Sequence, residues 1–445
     1  MPNPASESKE EERRVGLLKW YNMKKTILTC SIALMAFPLF AQYTSPGFYR
    51  IQNQGEAGRY ISIQNDKVSE ESKNISLSSG KAANEAVEAL QLVKSKDSDP
   101  GTIIYISGDK SSLILEAQGL NTSKLLSDFG HGDQSLQLSS QGELKTEYSG
   151  YQIDLIDYCY DYPIKKDGFC GVATLQYIRQ LDTDQKKYAL WRIKKINNDS
   201  EFFGINPDVS IQVGQNEYKY YTTLFTSFAY QLSDGMTAYY IDQHIFDTNH
   251  VKEPIAELKE IPDGRIPAAT PVIIKCSSAN VEDNKVTLLD ETLSPISGNE
   301  LKGRVFCFIP TEYEDQNMKN ALEFNQNTMR VIGFVDGELA LVNDANSTYS
   351  NSLALKNNQN KKYLPANKVY LPISSSDAAA TANGIKLLLP NEYAVAASIS
   401  TVMSEDYADK EGVYTLTGIK IKDTNSTENL PNGIYIVGGK KHLVK

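Results

Sequence analysis

Few residues in this chain are of types that commonly carry out chemistry: it contains four histidines and five cysteines among 445 residues. His244 and His250 lie six residues apart in DQHIFDTNH. That separation is wider than the short spacings at which metal ligands usually share one structural element. The pattern favours an exposed polar loop, so we predict no metal site and no cofactor.

Cys170 follows KKDGF at the start of a predicted helix over Gly171–Leu181. A helix N-terminus can lower a thiol pKa and so favour a nucleophile. The remaining sequence context of a papain-like enzyme is not recognisable, and the chain has no Gly-x-Ser-x-Gly, HExxH, P-loop or GxGxxG motif. We therefore predict no catalytic residue and no enzyme. Glycosidase carboxylates meet only in space, so a cryptic glycoside hydrolase remains an alternative.

The N-terminal region carries an export signal. Met23 is followed by Lys24 and Lys25, then by an apolar run to Phe40 that is too short for a comfortable membrane span. We interpret 23–41 as a signal peptide and 1–22 as an upstream extension, with Met23 as the true start. Cys30 lies too early in the apolar run for a lipidation site. The protein is expected to be secreted or at the cell surface, either outer membrane-associated or periplasmic, and not membrane-spanning.

Export permits disulfide bonds between the cysteines that remain after cleavage. These are Cys159, Cys170, Cys276 and Cys307. Proximity in sequence favours Cys159–Cys170 and Cys276–Cys307. Free buried thiols are the alternative, because a chain of this length can build its own core.

The composition is that of a globular protein, with 41% hydrophobic residues, 22% charged residues and a net charge of −10. A nucleic-acid partner is not expected, because phosphate binding needs a basic face. The 26 tyrosines outnumber the 14 phenylalanines. That excess suits half-exposed strands, or surfaces that stack on sugars or peptides.

Short runs of alternating polarity separated by turn residues predict a mainly β fold. Helical spacing predicts a helix within 81–96, in addition to the one at Gly171–Leu181. Three hairpins are predicted before residue 208: Phe48–Ile51 with Tyr60–Ile63, Thr102–Ser107 with Ser112–Gly119, and Tyr188–Ile196 with Glu201–Pro207.

GFYRIQNQGEAGRYISI and the later WRI resemble ricin-type and fascin-like β-trefoil domains of secreted Bacteroidota proteins. The resemblance implies a trefoil-like domain over 42–205, with one or two helical insertions, and a glycan ligand. Tyr49, Tyr60 and Trp191 could stack on a sugar ring, or they could be core residues.

The second half continues in strands, including Tyr220–Phe225, Ala229–Leu232 and Thr237–Ile241. Ile266-Pro267-Ala268 and Leu364-Pro365-Ala366 each precede a β-rich run, and proline belongs at the entry of a strand. FAYQLSDGMTAYY, IPAATPVIIK and YLPANKVYLP resemble a β-sandwich module of secreted Bacteroidota proteins. We therefore predict an antiparallel β-sandwich over 206–390 and a linker over 391–411.

The last segment, 412–445, is predicted to form a β-hairpin between GVYTLTGIKI and LPNGIYIV. It resembles the C-terminal tails that direct Bacteroidota proteins to the type IX secretion system, so the secretion machinery is a candidate partner. The tail residues of interest are Leu430, Pro431, Gly433, Tyr435, Lys440, Lys441 and Lys445. An ordinary final hairpin protected by its lysines is the alternative.

The sequence therefore predicts an exported, non-enzymatic protein that binds extracellular carbohydrate or a host protein. A structural or adhesive surface protein without a small ligand is the alternative.

Overall fold

The computed structural model describes residues 43–53, 58–63, 90–93, 96–121, 136–138, 144–146, 151–154, 170–171, 173–177, 191–247, 251, 253–307, 322–343, 363–404, 412–416, 418–438 and 440–444. Within these ranges the chain is mainly β, as the sequence predicts, and contains one α-helix. The described residues belong to one compact unit, Tyr43–Lys445.

The first sheet is centred on the strand that contains Phe48. Its strands are β1 (Gly47–Asn53), β2 (Tyr60–Ile63), β3 (Leu90–Val93), β4 (Ile104–Asp109), β5 (Ser112–Ala117), β6 (Leu120–Asn121), β7 (Leu136–Leu138), β8 (Leu144–Thr146), β9 (Tyr151–Asp154), β10 (Cys170–Gly171), β11 (Ala173–Tyr177) and β12 (Trp191–Lys195). β1 pairs antiparallel with β2, β4 and β12. β1 therefore contacts three other strands of the sheet.

The first two predicted hairpins are confirmed. β1 pairs with β2, and β4 pairs with β5 from Tyr105↔Glu116 to Asp109↔Ser112. The turn between β4 and β5 is held by the Asp109 carboxylate, which accepts hydrogen bonds from the backbone N–H groups of Ser111 and Ser112 at 2.8 and 3.0 Å. Asp is favoured there because its side chain can hydrogen-bond the backbone of its own turn.

Three local predictions in this sheet are wrong where the structure describes them. Leu90–Val93 is a strand on β2 rather than the end of a helix, and Ala173–Tyr177 is a strand on β9. In both segments a distant partner strand supplies the backbone hydrogen bonds that local helical spacing cannot anticipate. The third predicted hairpin does not form either: β12 pairs with β1, while Phe203–Gly204 pairs with a strand of another sheet.

The central part of the chain forms two further sheets. Its strands are β13 (Phe203–Gly204), β14 (Val209–Gly214), β15 (Glu217–Leu224), β16 (Ala229–Leu232), β17 (Thr237–Ile245), β18 (Ile255–Glu260), β19 (Arg265–Ile266), β20 (Val272–Cys276), β21 (Lys285–Leu289), β22 (Lys302–Arg304), β23 (Met329–Val335), β24 (Glu338–Val342), β25 (Lys368–Pro372) and β26 (Ile385–Leu388). β13, β21, β16 and β19 form a four-stranded sheet, and the other ten strands form one long sheet.

The ten-stranded sheet curls until its two ends meet. Lys368 of β25 reaches Asp208, which precedes β14, with Nζ 2.7 Å from Oδ2. The Phe225 N–H donates to the Asn367 carbonyl at 2.9 Å, and the Val369 N–H donates to the Thr223 hydroxyl at 3.3 Å. The curl encloses a core drawn from both ends of the sheet, including Val209 and Val369.

Alternation along the strands divides the interior into two cores. In β20, Ile273 packs into the core inside the curl, whereas Val272 and Ile274 pack into a second core under the four-stranded sheet. Successive residues of a strand point to opposite faces, so a continuous apolar run such as VIIK is expected where both faces are covered. Ile103 of the first sheet region joins the second core.

The two predicted proline entries are confirmed. Pro267 precedes β20 and Pro365 precedes β25, and each proline is followed two residues later by a residue in the left-handed region, Ala269 (φ 54°) and Asn367 (φ 61°). Alanine rarely adopts this conformation. The Ala269 N–H donates to the Thr226 carbonyl at 2.8 Å, which stabilises the turn.

A helix, α1 (Pro390–Ser404), occupies most of the segment that the sequence assigns to a linker. Proline at the first helical position is compatible with helix formation, and the Glu392 carboxylate accepts from the Leu389 N–H at 3.1 Å. Tyr393 packs against Val251, Ile255 and Leu388. The helix therefore covers one side of β18 and β26. No helix in the described ranges is both long and apolar enough to cross a membrane.

The tail forms a small antiparallel sheet of four strands. They are β27 (Val413–Thr415), β28 (Lys420–Lys422), β29 (Gly433–Val437) and β30 (Lys440–Val444), in the order β28-β27-β29-β30. The predicted pairing of the two tail segments is confirmed by β27 and β29, with Val413 opposite Val437. Pro431 lies just before β29, as its entry position predicts.

Candidate functional site

The three aromatic residues suggested for sugar stacking lie in the core. Tyr49, Tyr60 and Trp191 are 1%, 4% and 0% exposed. A sugar ring cannot reach faces that are covered by protein, so the stacking role is corrected to a packing role. β1 and β12 bring Tyr49 and Trp191 into the interior of the first sheet region.

Cys276 and Cys307 are free thiols, which is the second of the two alternatives. Burial raises the pKa of Cys276 to about 12 and that of Cys307 to about 11. A thiol with such a pKa is a poor nucleophile. Cys159 lies outside the described residues, and only the backbone of Cys170 is described, as part of strand β10.

His244 is paired with Glu300, with Nδ1 2.6 Å from Oε2, and its ring stacks on Phe246 at 3.9 Å between centroids. His244 therefore lies on strand β17 rather than in the predicted loop, and its partly exposed ring contacts the Glu300 carboxylate. His131 and His250 lie outside the described ranges. Among the described residues, no group of three or more His, Cys, Asp or Glu side chains could hold a metal ion.

The described tail residues lie in or directly before strands of one sheet. Tyr435 is buried and donates its hydroxyl hydrogen to the Pro431 carbonyl at 2.9 Å, while Leu430 packs beside it. Gly433 begins β29, opposite Val444 of β30. Lys441 is exposed on β30, Lys440 begins that strand, and Lys445 lies outside the described residues.

A cleft between the first sheet and the four-stranded sheet is the strongest candidate site. One wall is a row of three side chains across adjacent strands. Phe48 of β1 lies opposite Tyr105 of β4, and Tyr105 lies opposite Glu116 of β5. Residues opposite one another in antiparallel strands share a face. The row is therefore fixed by strand register.

Phe48 and Tyr105 are half-buried, and their rings meet edge to face with centroids 5.2 Å apart. Both rings line a cleft of about 660 Å³. The opposite wall comes from Phe228, Ala229, the last residue of β21 (Leu289) and the segment that follows it. We call the segment 290–297 the strap.

The strap is tied to the aromatic wall by one hydrogen bond. The Tyr105 hydroxyl donates to Asp290 Oδ2 at 2.9 Å. Desolvation, together with this hydrogen bond, raises the pKa of Tyr105. The phenol therefore stays protonated and keeps donating to the carboxylate over the physiological pH range.

Carboxylates dominate the charge of the cleft. Glu116, Asp290 and Glu291 line it, and its lining includes no lysine, arginine or histidine among the described residues. Arg265 approaches from the far side of the strap and pairs with Glu291. The hydroxyl groups of Ser227 and Thr292 add further polar positions. The cleft can therefore accept hydrogen bonds from a ligand that also has an apolar face.

A second depression, of about 480 Å³, lies along the other side of the strap. It shares Leu293 and Pro295 with the first cleft and is lined by Lys259 and Arg265. The charged atom of Lys259 lies 2.9 Å from Asp242 Oδ2. The strap thus separates an acidic cleft from one of mixed charge.

A second cluster uses the same residue types in a closed setting. The Glu201 carboxylate accepts from Lys96 Nζ at 2.6 Å and from Lys194 Nζ at 2.8 Å. The same two ammonium groups lie 5.1 and 5.7 Å from the Tyr60 ring centroid, within cation–π distance. Arg50, which is fully buried, lies 3.6 Å from Glu201. We call these five residues the Glu201 cluster.

The charged groups of the Glu201 cluster shift one another's pKa values. Burial raises the pKa of Glu201, but the hydrogen bonds from Lys194 and Lys96 outweigh it, and the net pKa is lowered. For Lys194 burial acts in the opposite sense, and its bonds to Glu201 leave its pKa raised. Each partner therefore stabilises the charged form of the other.

Sequence reasoning missed Tyr105 and Glu116, although the hairpin that contains them was predicted. The signal was the alternation: Leu113 and Leu115 point inward, so Glu116 and its cross-strand neighbour had to share the other face. Asp290 had no comparable signal, because the strap is not part of a helix or strand.

The comparisons with known proteins add little. No family model matches the chain, and no curated protein matches it. One solved structure, titled as a mosquitocidal holotoxin, aligns at 9% identity and a TM-score of 0.24 over 69% of this chain. The chain spans 40% of that protein. A similarity this weak supports no statement about fold or activity.

Proposed function

We propose that this protein is an exported, non-enzymatic protein that binds extracellular carbohydrate in the cleft between its first sheet and its four-stranded sheet. The observation that carries the proposal is the row Phe48–Tyr105–Glu116 facing Asp290. It combines two half-exposed aromatic rings with carboxylate acceptors in one open cleft.

Such a wall suits a sugar for two physical reasons. The apolar C–H face of a pyranose packs on an aromatic ring, and its hydroxyl groups donate to carboxylates. Ligand sites are typically lined by apolar and aromatic side chains with a few placed polar groups. The cleft meets that description, with Ile103, Phe228 and Leu289 beside the polar residues.

Export remains part of the proposal, and the apolar run after Met23 supports it.

The trefoil-like assignment of 42–205 is also a proposal. It is supported by the strand pairing. β4 pairs with β1 and β5, and β1 also pairs with β12, which is distant in sequence. Such a distant pairing is expected where a barrel closes on its first strand. The sandwich-like assignment of 206–390 is supported by the four-stranded sheet, which shares a core with β15, β17 and β20.

The test of the binding proposal is a glycan-array screen of the full-length chain beside two variants. Tyr105→Ala removes the central ring and the bond to Asp290. Tyr218→Ala is the matched control, because Tyr218 is a 44% exposed tyrosine on β15, outside the cleft. Saturable binding to a sugar class should weaken by about ten-fold or more in Tyr105→Ala, the effect of losing about 1.4 kcal/mol.

The control variant should bind like the unmodified chain, and circular dichroism should show both variants folded. Equal losses in the two variants would contradict a site at the cleft. A blank array for the unmodified chain would overturn carbohydrate binding for the glycans sampled.

A structural or adhesive surface role is a second candidate, favoured by the tail sheet. Ile434 and Leu443 form a cross-strand pair and are 46% and 64% exposed. An exposed apolar pair on a strand edge suits contact with another protein, including secretion machinery that reads the tail by strand pairing. If this is correct, Leu443→Asn should reduce delivery of the folded protein to the cell surface. Unchanged surface delivery would count against the tail's role.

A further inference from the structure

The charge of the cleft narrows the class of sugar it can take. Three carboxylates line it, and the Arg265 guanidinium across the strap is engaged by Glu291. Glu116 is exposed on β5, directly opposite Tyr105. A ligand in this cleft therefore meets a negative field beside two aromatic rings.

The Glu201 cluster of the same chain shows that a tyrosine ring beside a carboxylate binds ammonium groups. In the Glu201 cluster, a tyrosine ring and a carboxylate hold two ammonium groups, those of Lys96 and Lys194. The ring attracts the cation through its quadrupole, and the carboxylate attracts it by charge and hydrogen bonding. In the cleft, Tyr105 and Asp290 supply the same two groups, 2.9 Å apart.

Two further residues of the cleft strengthen the match. Phe48 adds a second ring whose centroid lies 5.2 Å from that of Tyr105. Glu116 adds a second carboxylate, on the same wall as the two rings. An ammonium group beside Tyr105 would thus face aromatic carbon on one side and carboxylate oxygen on the other.

We infer that the cleft selects a saccharide that carries a protonated amine, such as an oligomer of glucosamine, over neutral and anionic saccharides. This inference rests on the carbohydrate-binding function proposed above. It assigns Glu116 and Asp290 as the residues that determine specificity, and Phe48 and Tyr105 as the rings that pack against the sugar and its ammonium group.

We assign the cleft to an amino sugar rather than to a lysine-rich peptide because its lining includes hydroxyl side chains. Beyond the carboxylates, the cleft presents the hydroxyl groups of Ser227 and Thr292, which can bond to ring hydroxyl groups. A lysine side chain has an ammonium group but no hydroxyl groups to pair with them.

The experiment compares glucosamine hexamer, N-acetylglucosamine hexamer and galacturonate hexamer by calorimetry with the full-length chain, at about pH 6, where a primary amine is protonated. A lysine hexamer is the fourth probe. The amine-bearing sugar should bind about ten-fold more tightly than its acetylated counterpart, because the ammonium group is attracted by partly exposed carboxylates and by the aromatic rings. The preference should shrink as salt is added.

Two isosteric variants locate the effect. Glu116→Gln and Asp290→Asn should each reduce the amine preference, which is the ratio of the affinities for the amine and acetylated hexamers, about three-fold, the scale of one partly exposed charge. Glu217→Gln is the matched control, because Glu217 is exposed on β15, away from the cleft, and makes the same change in net charge.

The outcomes separate the two proposals. Equal binding of the amine and acetylated hexamers would overturn amine selection and leave carbohydrate binding intact. Tighter binding of lysine hexamer than of glucosamine hexamer would overturn the assignment to a sugar. Binding of no saccharide in the set, together with a blank glycan array, would overturn both proposals. If the preference for the amine hexamer is unchanged in both Glu116→Gln and Asp290→Asn, the ammonium group binds outside the cleft.

Discussion

The Glu201 cluster and the cleft use the same chemical groups for opposite purposes. In the cluster, Tyr60 and Glu201 are satisfied by Lys96, Lys194 and Arg50 of the same chain. In the cleft, Tyr105 and Asp290 bond to each other, and the lining within the described residues includes no cationic side chain. An aromatic ring beside a carboxylate can therefore hold the fold together or face a ligand, depending on whether the chain supplies the cation.

Burial separates the two cases energetically. The Glu201 side chain is 9% exposed, and that of Arg50 is fully buried. Removing one member of such a cluster leaves charges without partners in a poorly solvated place. Asp290 is exposed, so water can compensate for a change there. The cluster should govern stability, and the cleft should govern binding.

The largest expected effect is on the free energy of unfolding of Glu201→Gln. The variant should lose about 3 kcal/mol, because it leaves a buried guanidinium and two ammonium groups facing a neutral amide. Urea unfolding monitored by circular dichroism measures the change. Asp290→Asn is the matched carboxylate-to-amide control and should lose less than about 0.5 kcal/mol. Similar losses in both variants would break the distinction between the two regions.

Acid should remove the same contribution. The pKa of Glu201 is lowered in the folded protein from an ordinary value of 4.5. Its charge therefore stabilises the fold at a pH above that ordinary value, and the stabilisation is lost as the pH falls through the lowered pKa. The difference in unfolding free energy between the unmodified chain and Glu201→Gln should stay constant near neutral pH and shrink in acid. A difference that grows in acid would contradict the role given to the ionised carboxylate.

A smaller effect is expected from single lysines. Lys194→Met should lower the free energy of unfolding by about 0.5–1 kcal/mol, since Lys194 is partly exposed and Lys96 remains on Glu201. Lys195→Met is the neighbouring control, because Lys195 is exposed and its ammonium group bonds to the Ser45 hydroxyl at 3.3 Å rather than to Glu201. If the two variants lost equal stability, the ion pair of Lys194 with Glu201 would carry no particular weight.

The strands were largely predictable from the sequence, whereas long-range pairing was not. Alternation identified β1, β2, β4 and β5, and proline identified the entries of β20 and β25. Leu90–Val93, predicted as helix, is a strand because it pairs with β2. The segment after Leu389 is a helix that packs Tyr393 against a buried apolar cluster. Both outcomes depend on contacts that short-range spacing does not contain.

The candidate site shows the same limit. The trefoil resemblance and aromatic residue type pointed to Tyr49, Tyr60 and Trp191 as stacking or core residues, and all three are buried. Tyr105 was distinguishable only after the β1–β4–β5 register placed it between Phe48 and Glu116. Asp290 reaches Tyr105 across 185 residues of sequence, and no local pattern encodes that approach.

Hydrogen–deuterium exchange of the full-length chain, with and without glucosamine hexamer, tests the central claim most directly. Bound ligand should slow exchange in peptides that cover β4, β5 and the strap, and leave the β14–β15 hairpin and the tail sheet unchanged. Protection confined to those last two regions, with β4, β5 and the strap unaffected, would show that the sugar binds elsewhere and would contradict the assignment of the cleft.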